Sequence, residues 1–252
     1  MSRSLAAAVT LVLAASAALL PAASRGSDRT LPMRFELRQE GPAQICGSKC
    51  RLLISASGAI TADTPRDFHL FAQGHDLSGG TVVLDSDGGS VHGAIALGRE
   101  IRRLGLDTSV GRVVDLNDPE RTAPRAKLSP RADCESMCAF VLLAGIRRTV
   151  PPQARVMVHQ IWLGDRREDP TAANYSAEDL VLVQRDIGKL AQYTAEMGAS
   201  IDLLDLALRI PPWEPMHALT QAEIAQTRVA TVTDSPATLP TVAVSPRHGS
   251  PP

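Results

Sequence analysis

Ser136 stands between two cysteines in the run Cys134, Glu135, Ser136, Met137, Cys138, and opens onto the apolar stretch AFVLLAG at 139–145. Small and large apolar residues in that order suit a buried helix. The spacing therefore predicts a hydroxyl at a helix N-terminus, where unpaired N–H groups and aligned peptide dipoles favour developing negative charge. Two further segments carry what a nucleophilic serine needs. The run LDSDGGSV at 84–91 sets a glycine turn, Gly88 and Gly89, after a strand, and RVMVHQ at 155–160 sets His159 at the end of another. A hydroxyl, an imidazole and backbone donors are the minimum for acyl transfer through a covalent intermediate.

Other chemistries find less support. No grouping of His, Asp and Glu has metal-ligand spacing, so neither a metal nor a cofactor is expected. The glycine pair lacks the Lys-Ser/Thr ending of a phosphate loop. No Gly-x-Ser-x-Gly elbow is present, which counts against an α/β-hydrolase. The remaining histidines, His69, His75, His92, His217 and His248, have no comparable surroundings and read as surface or loop.

The chain of 252 residues is 44% hydrophobic and 21% charged, enough to bury a core in one domain with extras. A formal charge of -1 and 3% aromatics give no reason to expect nucleic acid as a partner. Residues 1–24 combine one early arginine, an Ala/Leu/Val run and small residues after Pro21, the pattern of a secretory signal peptide. The rest of the sequence has no second apolar run of spanning length, so a periplasmic or secreted protein without a transmembrane span in its mature chain is expected. Four cysteines in an exported chain favour disulfides over a zinc site. Cys46, Cys50, Cys134 and Cys138 allow three pairings. The local pairs Cys46–Cys50 and Cys134–Cys138 are the preferred reading, and cross-bridges to the Ser136 helix are the alternative.

Strands alternate with helices along the chain, which argues for an α/β fold with a largely parallel sheet. A segment at 25–50 carries the first cysteine pair and a short alternating piece at 33–37 that fits an edge strand. Strands are expected at 51–58, 81–85, 108–114 and 155–160. Helices are expected at 63–72, with Thr64 as N-cap, and at 92–104 and 136–144. Others follow at 176–197, with Leu180, Val183, Ile187, Leu190 and Ala191 as its apolar stripe, and at 201–208 and 220–226. Residues 115–133 read as a polar surface insertion, 161–174 as a loop, and 229–252 as a disordered tail.

Taken in order, the glycine turn at 85–89, the serine segment at 136–145 and the histidine segment at 155–160 resemble the oxyanion, nucleophile and base segments of the Clp protease proteolytic subunit, ClpP. The likeness covers about residues 51–228. It implies the ClpP/crotonase fold, a single-domain spiral of β-β-α units, and a branch of exported ClpP-like bacterial proteins in which cysteines bracket the serine. By resemblance Ser136 is the nucleophile and His159 the general base. Gly88 and Met137 supply the oxyanion-binding amides, and Gly89 completes the turn. Three departures stand out: Asp87 replaces the proline of the turn, Glu135 and Cys138 replace small residues, and the catalytic aspartate has no counterpart in 211–217. Glu214 is the nearest acid there, with Asp202 and Asp205 earlier. The expected function is a serine hydrolase cleaving peptides or proteins, assembled as a homo-oligomer. The alternative is a catalytically weak scaffold for binding or envelope assembly. Acyl-CoA chemistry would leave the Ser/His pair idle.

Overall fold

The computed structural model describes residues 28–41, 50–116, 125–163 and 175–232. The expected signal segment at 1–24, Cys46, parts of the expected insertion and of the 161–174 loop, and residues 233–252 lie outside the described residues.

Strands β2 (Leu52–Ser57), β3 (Thr81–Asp85) and β4 (Asp107–Val110) run parallel, connected through helices α1 (Thr64–Gln73) and α2 (Val91–Arg103). Every residue of β3 is buried, as its unbroken TVVLD run requires of a strand covered on both faces. The 33–37 alternation becomes β1 (Arg34–Glu40), which is internal rather than an edge. It pairs antiparallel with β2 and parallel with β6 (Arg125–Ser129). That second partner comes from the segment expected to be a surface insertion, so a strand there replaces a loop.

The expected strand at 108–114 is two strands. Gly111 separates β4 from β5 (Arg112–Asp115), which turns away to pair antiparallel with β6. A Cβ on Gly111 would stand 2.7 Å from Leu128 Cδ1 and 3.0 Å from Ser129 O, so the two strands pass closely here. With β8 (Arg148–Thr149) the sheet order is β5-β6-β1-β2-β3-β4-β8. A second sheet has the order β10-β9-β7, from β7 (Asp133–Glu135), β9 (Arg155–Val158) and β10 (His217–Ala218). The molecule is thus α/β with mixed sheets, parallel at the centre and antiparallel at one side.

Helix α3 (Met137–Leu142) is buried along its whole length within a core that also holds Leu84, Leu97, Ile101 and Tyr193. Tyr193 belongs to α4 (Ala177–Glu196), whose hydroxyl there donates to Phe140 O at 3.1 Å. Ser176 and Asp179 form a capping box at the start of α4, as Thr220 and Glu223 do before α6 (Gln221–Gln226). Helix α5 (Asp202–Leu208) lies between them in the chain. The expected stripe on α4 holds only from its middle: Leu190 is buried, whereas Leu180 is 51% exposed. At α1 the cap is Asp63. Thr64, expected there, is buried and accepts the Thr61 N–H at 2.8 Å instead. Among the described residues no helix is long and apolar enough to cross a membrane.

The expected tail begins too early. Val229 is fully buried, and the N–H groups of Thr231 and Val232 bond to Arg148 O. Arg148 ties this end of the chain down. Its guanidinium is buried and donates to the carbonyls of Leu143, Met197, Arg228 and Val229 at 2.7–3.2 Å. Burial, with Arg102 and Arg228 nearby, brings its pKa down to about 10, and it stays charged at neutral pH. Arg148→Met would strand carbonyls that water cannot reach, at a cost of about 3 kcal/mol. A drop in melting temperature of about 10 °C, read by circular dichroism, is the expected result.

Candidate active site

The two sheets meet at Ser86, the residue after β3. Its N–H donates to Asp133 O at 3.0 Å and its carbonyl accepts from Glu135 N at 2.9 Å, so the glycine turn is laid directly along β7. The Ser86 hydroxyl donates to Gly58 O at 2.6 Å and accepts the Gly88 N–H at 3.1 Å. Both glycines have positive φ, 80° at Gly88 and 137° at Gly89. On Gly88 a Cβ would lie 2.8 Å from Ser136 Cβ and 2.9 Å from Met137 N. The turn and the serine are in van der Waals contact.

Ser136 itself has φ 53° and ψ -120°, a conformation that side-chain-bearing residues rarely adopt. Its N–H donates to Met157 O at 2.7 Å, prolonging the β7–β9 ladder by one bond before the chain turns into α3. The sharp bend presents the half-buried side chain at the strand–helix junction instead of packing it into either element. Cys134 and Cys138 are bonded to each other across this bend, with Cα atoms 5.1 Å apart, which selects the local pairing from the alternatives. Cys50 is also disulfide-bonded.

The amides around Ser136 sort into used and unused. Gly88 N–H is taken by Ser86 Oγ. Among the described residues the N–H groups of Gly89 and Met137 have no acceptor, Met137 because it is the first residue of α3. Gly88 makes the close approach to the serine, and its N–H bonds within the turn itself.

His159 follows β9 directly. Because Glu135 pairs with Met157, Ser136 and His159 leave adjacent parallel strands at the same end, and such strands lie about 4.8 Å apart. Among the described residues no hydrogen bond joins the Ser136 hydroxyl to the ring. His159 is buried, its ring centroid is 4.6 Å from that of Trp162, and its Nδ1 has no hydrogen-bond partner. Burial lowers its pKa below the ordinary 6.5, against a smaller opposing effect of the Gln160 backbone, so the imidazole is neutral at pH 7. Glu214 is not the partner of Nδ1. It is exposed in the turn closed by its own N–H bonding to Pro211 O, three residues before β10 begins. Asp205 is engaged by Arg209.

A second set of residues carried no expectation. Arg29 extends its guanidinium among four carboxylates: Asp87 at 2.5 Å, Glu135 at 2.7 Å, Asp133 at 3.4 Å and Asp85 at 3.5 Å. The sequence held a signal for it in the paired patterns Asp85-x-Asp87 and Asp133-x-Glu135, which flank Gly88 and Ser136. No protein-family model matches this chain, and no curated protein does either.

Proposed function

We propose that the chain is a serine hydrolase of ClpP-like type that cleaves peptide bonds through an acyl-enzyme on Ser136. The observation that carries this reading is the backbone of Ser136. A rarely populated conformation at a strand–helix junction, against a glycine turn with unused amides on both sides, suits a nucleophile held at the junction between the two elements. In the reaction Ser136 Oγ attacks the carbonyl carbon while His159 takes its proton. Nδ1 is enclosed, which leaves Nε2 as the acting nitrogen. The tetrahedral oxyanion is held by the Gly89 and Met137 amides, each worth about 3 kcal/mol of barrier. Collapse breaks the C–N bond, the imidazolium returns its proton to the leaving amine, and water then releases the acyl group. The Ser–His hydrogen bond forms as substrate closes the site, as is common where it is open in the free enzyme.

The order of the three segments, the α/β architecture and the disulfide around Ser136 support assignment to the exported branch of the ClpP/crotonase fold, with the spiral of β-β-α units and a homo-oligomeric assembly. The test is labelling by a fluorophosphonate probe. Wild type is expected to be modified at Ser136 and Ser136→Ala to remain unmodified, as read by intact mass. Equal labelling of the two would sink the hydrolase reading. One observation favours a second reading, a scaffold of low activity: no acid orients His159 among the described residues, and without one turnover falls by about 10⁴.

A further inference from the structure

The geometry points to a binding subsite for a basic side chain beside Ser136, formed by Asp85, Asp87, Asp133 and Glu135 and filled in this structure by the chain's own Arg29. This names the substrate class of the proposed hydrolase and rests on that reading: a peptide carrying arginine or lysine next to the scissile bond.

Charge balance sets the ligand class. Arg112 pairs with Asp85 at 2.6 Å and Arg155 with Asp133 at 2.7 Å, both from the outside. Asp87 and Glu135 have Arg29 as their cation. Remove Arg29, and four carboxylates face two guanidinium groups. The two left uncompensated, Asp87 and Glu135, flank the contact in which a Cβ on Gly88 would lie 2.6 Å from Glu135 O and 2.8 Å from Ser136 Cβ, so the subsite adjoins the serine segment.

The way Arg29 is held marks it as an exchangeable occupant. Its side chain is 15% exposed, yet its Nε finds no hydrogen-bond acceptor, and the Oδ1 of Asp85 facing it at 3.5 Å, on a side chain 98% buried, finds no hydrogen-bond donor. Asp85 Oδ1 is thus a buried acceptor aimed at the occupant and unsatisfied by it. Arg148 is the contrast, a buried guanidinium with Nε and both amino nitrogens bonded to carbonyls. Among the described residues the Arg29 main chain makes no backbone hydrogen bond. A local turn spans it, with Leu31 N–H bonding to Asp28 O at 3.2 Å, and attachment to the sheet begins at Leu31, whose carbonyl accepts from Ala59 N at 2.7 Å. Arg29 is thus fixed by its charged head, which an incoming basic side chain can replace with the same interactions.

The test measures binding apart from catalysis. Calorimetry on the Ser136→Ala, Arg29→Ala double variant compares an arginyl tripeptide amide with its neutral citrulline isostere. The arginyl peptide is expected to bind at least about tenfold tighter, with a smaller difference when Arg29 is present and none after Asp87→Asn with Glu135→Gln. Equal affinities in the folded double variant overturn the subsite. Should Arg29→Ala not fold, Arg29→Gln carries the same comparison. In the wild-type protein the Arg29 Nε–H resonance must also shift on titration with the arginyl peptide, and an unmoved signal overturns the proposal too. Fluorophosphonate labelling is scored separately. Charge-selective binding without labelling keeps the subsite and removes the hydrolase, whereas labelling without selectivity removes the subsite alone.

Discussion

Gly88→Ala is expected to slow fluorophosphonate labelling of Ser136 by at least about 100-fold, a loss typical of reacting groups displaced by about an ångström. The new Cβ would stand 2.6 Å from Glu135 O, 2.8 Å from Ser136 Cβ and 2.9 Å from Met137 N. None of those atoms ends a flexible side chain, so relief requires the turn and the serine segment to separate. Positive φ adds about 1–2 kcal/mol for any residue with a Cβ. Gly79 supplies the control. Its φ is 69° and no atom lies within 4 Å of a Cβ built there. Gly79→Ala should therefore pay the conformational cost, visible as a lower melting temperature, and keep its labelling rate within about twofold. If Gly88→Ala labels like wild type, the contact between turn and serine is not part of the reacting arrangement.

That contact was legible in the sequence only as two motifs; their meeting was not. Local signals travelled well. The apolar run of β3, Gly105 ending α2 with φ 67°, and Ser176 opening α4 each depend on neighbours a few residues away. Signals that depend on distant chain did not. The alternation at 33–37 is right for a strand, but its rank in the sheet follows from Gln39 pairing with Arg125. The apolar residues at 108–114 fit one strand, and what divides them is a change of partner, from β3 for β4 to the distant β6 for β5. Leu180 keeps the period of a buried stripe although its half of α4 has no partner to bury it within this chain's described residues. Ser136 and His159 stand out in the sequence because their chemistry is specific to residue type, and the fold sets them at the ends of adjacent parallel strands. Arg29 was missed because an arginine before a strand is ordinary until the fold brings four acids around it. Glu214 was favoured by its position in the chain, and the turn after Pro211 carries it outward.

His159→Ala should lower the labelling rate by about 10³-fold, the usual worth of a positioned general base, while Glu214→Gln should leave it within about twofold. The first follows from the place of the ring at the end of β9, one strand from Ser136, and the second from an Nδ1 that no carboxylate reaches among the described residues. The pH dependence gives an independent check on the same ring. Burial disfavours the imidazolium, so the folded-state pKa lies below 6.5 and the neutral, proton-accepting form persists into mild acid. The labelling rate should thus reach half its maximum only below pH 6.5. Stability moves by the same linkage. As pH drops through 6.5 the unfolded chain binds the proton first, so His159 withdraws stability in the window between 6.5 and its lower folded-state value. Rates would be followed with the uncharged probe, whose own reactivity does not titrate there, and unfolding by urea titration at each pH. Should Glu214→Gln slow labelling as much as His159→Ala, the 211–217 turn must swing its carboxylate onto Nδ1 when substrate binds. The scaffold reading would then lose the one observation in its favour.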